Sequence, residues 1–121
     1  MKYDCSSLFT EKDEYQHLIE KVIALYQQGK FQEAIPMAKK ALSIAEKRFG
    51  PDHPDAAQSL NNLAELYRLQ GRYDKAEPLY KRALGIREKT LGPDHPDTAT
   101  SLSNLAALYH LQGRYAEQAV S

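Results

Sequence analysis

Two tetrapeptides hold the residue types from which metal or acid–base chemistry is built: Asp52-His53-Pro54-Asp55 and Asp94-His95-Pro96-Asp97. A zinc site needs about four converging ligands, and these two copies lie one structural repeat apart rather than face to face. Helix capping accounts for their recurrence. Asp52 and Asp94 are expected as N-caps, proline is tolerated in the first turn, and Asp55 and Asp97 suit the positive end of a helix. The single cysteine, Cys5, has no internal partner for a disulfide and lies in a terminal stretch. No glycine-rich phosphate loop occurs, and no Ser or Cys nucleophile has an assignable base. The expectation is therefore no enzyme, with no catalytic, cofactor-binding or metal-binding residue.

A third kind of chemistry is carried by amides. Asn62 and Asn104 occupy matching places in two near-copies of one stretch, Leu60 to Tyr73 and Leu102 to Tyr115. An asparagine side chain donates and accepts hydrogen bonds at once, so it can hold the backbone of an extended peptide whatever its sequence. The competing reading is that these amides cap local structure or are simply solvated.

The elements that position these residues follow from the repeat. Gly29, Gly71 and Gly113 stand 42 residues apart, and residues 41–73 match residues 83–115 at 24 of 33 positions. Fixed-period self-similarity of this kind marks a stacked repeat array. Leu18, Val22 and Leu25 predict a first helix that begins at a Thr10–Asp13 capping box and stops at Gly29. A second helix is expected from Phe31 to about Phe49, with Ala34, Met37, Ala38, Ala41 and Leu42 inward. Gly50-Pro51 ends it. Leu60, Leu63, Ala64 and Tyr67 form the apolar stripe of a third helix reaching about Gln70. Ala76, Leu79, Tyr80, Ala83, Leu84 and Ile86 are the inward positions of a fourth, from Tyr73 to about Thr90. Pro36 and Pro78 fall about one turn inside second helices, where a slight bend is expected. The third unit repeats the pattern from Asp94 to Tyr115, so the chain holds five full helices and a short sixth. Units are placed at about 10–50, 51–92 and 93–121, after a flexible segment 1–9. Nothing reads as a strand.

These residues resemble the tetratricopeptide repeat, with its Leu-x2-Leu-Ala-x2-Tyr, Gly-x-Tyr-x2-Ala and Tyr-x2-Ala elements, throughout residues 60–83. The 42-residue period, with Leu-x-Asn-Leu-Ala followed by Gln-Gly-x-Tyr, looks like the repeats of kinesin light chain. The resemblance covers residues from about 15 to 115 and implies an all-α fold, a right-handed solenoid of antiparallel helix pairs. In the first unit, Lys21 and Leu25 replace the counterparts of Leu63 and Tyr67, which suits a terminal capping unit. Gln118 and Val120 stand where Ala76 and Pro78 do in the second unit, which implies a truncated or shifted last helix.

In such a stack the first helices line the concave side. The expected groove residues are Gln58, Asn61, Asn62, Glu65, Arg68 and Leu69 in the second unit, and Thr100, Ser103, Asn104, Ala107, His110 and Leu111 in the third. Gln16, Ile19, Glu20, Ile23, Tyr26 and Gln27 come from the first. By the resemblance, asparagines at the position of Asn62 contact peptide backbone. Kinesin light chain reads acidic cargo motifs through a more basic groove than this one, in which Arg68 and His110 are the cationic candidates and Arg68 can instead pair with Glu65.

Lys plus Arg and Asp plus Glu balance at 16 each, leaving no basic excess for nucleic acid. No apolar run approaches the ~18 residues of a membrane span. The expected function is a cytoplasmic, non-catalytic scaffold for a protein or peptide partner. The alternatives are self-association through the C-terminal end of the solenoid, a fragment of a longer adaptor, and an accessory segment of an enzyme.

Overall fold

In a computed structural model of the protein, the described residues form five α-helices, each closed by glycine or a glycine-containing turn. The structure describes the backbone of residues 2–113 and the side chains of residues 14–113. The order is α1 (Lys2–Gln27), α2 (Phe31–Phe49), α3 (Pro54–Leu69), α4 (Tyr73–Leu91) and α5 (Pro96–Leu111). Each helix packs on the next, and there is no strand among the described residues. The architecture is an all-α solenoid. The expected short sixth helix, with Gln118 and Val120, falls outside the described residues, as do the side chains of Cys5 and of the Thr10 capping box.

Glycines at 29, 50, 71, 92 and 113 all take positive φ, one every 21 residues. Gly71 shows why. The Arg72 N–H returns to the Tyr67 carbonyl at 2.8 Å and the Gly71 N–H to that of Arg68 at 2.9 Å, a left-handed turn that closes α3 and leads directly into α4. Its φ is +76° and no atom lies within 4 Å of where a Cβ would be. The need for glycine there comes from the backbone alone.

The core is small-residue rich. Ala34, Ala64 and Ala76 are wholly buried together with Leu63, Leu66, Tyr67 and Tyr80, which lets paired helices approach closely while tyrosines fill the spaces between pairs. A second cluster joins Ala57 and Leu60 on α3 to Ala83 and Ile86 on α4. All four residues of the expected α3 stripe are buried.

Three boundaries differ from expectation. Helix α1 starts at Lys2 rather than at Thr10. Residues 2–13 hold neither glycine nor proline, so polar composition alone does not interrupt the backbone hydrogen bonding. The N-caps of α3 and α5 are His53 and His95, one residue later than the expected Asp52 and Asp94.

Candidate partner-binding groove

Helix α3 lies between neighbours on both sides, and only one narrow strip of it meets solvent. Gln58 and Leu69 are exposed and Asn62 and Glu65 half-buried; at 100° per residue these four share one face. The corresponding strip of α1 is Gln16, Glu20, Ile23 and Gln27, all exposed, and that of α5 is Thr100, Asn104, Ala107 and Leu111. Between α1 and α3 the strips enclose a pocket of about 310 Å³, lined by Val22, Ile23, Tyr26, Asn62, Glu65 and Leu66. Ile23 and Tyr26 offer apolar surface to it while remaining 48% and 40% exposed.

Polar contacts cross the pocket. The Tyr26 hydroxyl donates to Glu65 Oε2 at 2.7 Å, and Arg68 Nη2 reaches the same oxygen at 3.5 Å. Glu65 accepting that bond, with its negative charge close by, raises the Tyr26 phenol above its ordinary value. Burial pushes the Tyr80 phenol above its ordinary value, while the Arg68 charge opposes the rise. Arg68 thus makes the local pairing with Glu65 that their spacing on the helix allows.

Asn61 is a correction. Expected on the open side, it is buried, its Nδ2 3.5 Å from Ser101 Oγ on α5 and its Oδ1 without a partner among the described residues. Asn61 and Asn62 stand 100° apart on the helix, and the third unit stacks over the first of them but not the second. Ser103, the counterpart of Asn61 in α5, is exposed, as are Thr100 and His110; Asn104 is half-buried like Asn62.

Arg87 was not anticipated. It occupies an α4 position where α2 has the fully buried Ala45, and it is itself only 4% exposed. Its Nη1 donates to Ser101 Oγ at 3.0 Å and to the Asp97 carbonyl at 3.2 Å, and its Nη2 to Gln58 Oε1 at 2.9 Å. No carboxylate bonds it among the described residues. Burial pulls its pKa below the ordinary value, against the pull of the Asp97 charge. The only sequence signal was a cation falling one residue after Ile86, at the rim of an otherwise apolar face.

The two Asp-His-Pro-Asp segments serve as helix starts. His53 Nδ1 accepts the Asp55 N–H at 3.0 Å, and His95 Nδ1 accepts that of Asp97 at 3.0 Å. His53 also stacks on Phe49, ring centres 5.0 Å apart, while Asp52 pairs with Lys89 across the unit boundary at 3.2 Å. Among the described residues, no three His, Cys, Asp or Glu side chains converge as a metal site would require.

The tetratricopeptide repeat pattern matches residues 15–89 and again residues 55–117. The chain belongs to the tetratricopeptide repeat family. Tetratricopeptide repeats generally mediate protein–protein interactions. Among solved structures, the chain is similar to the nearly identical repeats of a kinesin light chain of Podosopora anserina, at 28% identity and a TM-score of 0.73. That match covers 82% of this chain and 47% of the other. A second similar structure is BtubC (BKLC) from P. vanneervenii, at 23% identity and a TM-score of 0.71, covering 78% of this chain and 38% of that one. The chain thus spans less than half the length of either of these two structures. Among the described residues, no helix is long and apolar enough to cross a membrane.

Proposed function

We propose that this chain is a non-catalytic scaffold that takes an extended peptide, or a partner's extended edge, into the groove between α1 and α3 and onward along α5. The observation that carries this is the makeup of the α1–α3 pocket. Apolar walls from Val22, Ile23 and Leu66 stand beside an amide at Asn62 and a carboxylate at Glu65, which suits apolar side chains and a polar backbone held at the same time. The test is selection of peptides from a displayed random library on the full chain, followed by titration into Ile23→Asp and Asn62→Ala. Both variants should bind at least about tenfold more weakly at unchanged thermal stability. Selected peptides that bind both variants as they bind the parent protein would exclude the groove.

A second reading, self-association at the third unit, is favoured by Leu102 on α5. It is 45% exposed, whereas Leu60, its counterpart in α3, is fully buried. Sedimentation over a concentration range with Leu102→Glu as control tests it. A parent chain that stays monomeric throughout rules it out.

A further inference from the structure

The polar chain that begins at Arg87 ends in the groove. A guanidinium has only donors, so the Gln58 atom 2.9 Å from Arg87 Nη2 must be its oxygen. Once that oxygen is committed, the Gln58 atom facing Asn62 at 3.0 Å is Nε2, and the Asn62 atom it meets is Oδ1. What remains of the Asn62 amide is Nδ2, which has no partner among the described residues, on a side chain that lines the α1–α3 pocket. A buried donor-only group two links away therefore decides which end of the asparagine faces the groove.

We propose that Arg87 is a positioning residue which, through Gln58, holds Asn62 with its N–H groups toward the groove, so that the groove takes an oxygen acceptor at that point. A neutral backbone carbonyl of an extended peptide is the occupant this favours. Glu65 stands one turn further along the same helix and would repel a carboxylate. The equivalent residues elsewhere lack the device. Thr100 replaces Gln58 in the third unit and donates to the Pro96 carbonyl at 3.1 Å, so Asn104 receives no comparable bond among the described residues. In the first unit Ala45 and Glu20 stand where Arg87 and Asn62 do. Two asparagines that are equivalent by position are thus unequal in chemistry, Asn62 with one end fixed and Asn104 able to turn. The choice of occupant rests on the groove reading above; the relay does not.

Side-chain amide NMR on the isotopically labelled full chain tests the relay. Gln58→Glu keeps an oxygen for Arg87, gives the buried cation a carboxylate, and removes the donor to Asn62. The expected result is an equal or higher Tm with a displaced Asn62 amide pair and an unmoved Asn104 pair. Arg87→Gln, which can accept as well as donate, should displace the Asn62 pair too, while Arg87→Lys should hold it. An Asn62 pair unmoved in both Gln58→Glu and Arg87→Gln overturns the relay, whether or not the groove binds anything. For the occupant, C-terminally amidated peptides from the displayed library are titrated into Asn62→Asp, which replaces the donor by an acceptor. Affinity should fall about tenfold or more; undiminished affinity overturns the donor assignment. A library that yields no groove-bound peptide overturns the occupant, and the NMR result still decides the relay.

Discussion

Arg87 and Ser101 meet at 3.0 Å between α4 and α5, where the second unit passes into the third. The contact places a buried cation at a seam it shares with the buried Asn61, Thr98 and Ser101. Arg87→Ala would leave the Gln58 oxygen and the Asp97 carbonyl without their donor and open a cavity. It should cost at least about 2 kcal/mol, measured by urea denaturation; a loss below about 0.5 kcal/mol would show that water replaces the guanidinium without penalty.

Leu63 is 4% exposed inside the principal core. Leu63→Ala should destabilise by about 2–5 kcal/mol, the range for a buried leucine whose cavity cannot collapse. Leu69→Ala, on the exposed strip of the same helix, should change stability by no more than about 0.5 kcal/mol.

Gly71 separates backbone strain from crowding. With φ at +76° and open space around the missing Cβ, Gly71→Val should cost about 1–2 kcal/mol through the left-handed backbone alone. Gly71→Asn should recover most of that loss, because asparagine tolerates this region. Equal melting temperatures for Gly71→Val and the parent would refute the turn.

Helix capping gives a direct contest between neighbours. His53→Ala removes the acceptor for the Asp55 N–H and should cost about 1 kcal/mol. Asp52→Ala breaks only a solvent-exposed pair with Lys89, worth at most a few tenths of that. Denaturation midpoints in the opposite order would make Asp52 the cap.

Two tyrosines set an alkaline limit. Tyr26 and Tyr80 both have phenol pKa values raised above 10.0, by the Glu65 bond and by burial respectively. The folded state therefore holds these protons more tightly than the unfolded chain. Their contribution is fully present below pH 10 and lost as pH rises through the folded values. Stability should fall above that point, and Tyr80→Phe should flatten the fall, followed by denaturation at a series of alkaline pH values with absorbance titration of the phenolates.

What the sequence conveyed best was periodic. The stripe at Leu60, Leu63, Ala64 and Tyr67 and the glycine at 71 located α3 and its turn, because burial at helical spacing and positive φ both leave marks on residue type. The identity of the cap was not legible, since Asp52 and His53 can each accept a hydrogen bond and only the backbone path decides between them. Asn61 was misplaced for a different reason. Its burial is caused by the next unit stacking on one flank of α3, a contact made some forty residues away, and nothing in its own helix announces it. Arg87 escaped notice because a guanidinium in an apolar seam runs against the expectation that buried charges are paired. Its partners are an amide, a hydroxyl and a carbonyl, drawn from α3 and from the start of α5. The exposed strip of α3 was readable from the repeat, whereas the bond from Arg87 to Gln58 on that strip was not.

The packing of each helix on its immediate successor also has a kinetic consequence. Among the described residues, the Asn61 to Ser101 hydrogen bond spans 40 residues, just under one period, and the main helix–helix packing joins each helix to its successor. Among these residues relative contact order is therefore low. Refolding should be correspondingly fast, on the microsecond-to-millisecond scale of helical domains, and should start from any hairpin and spread to its neighbours.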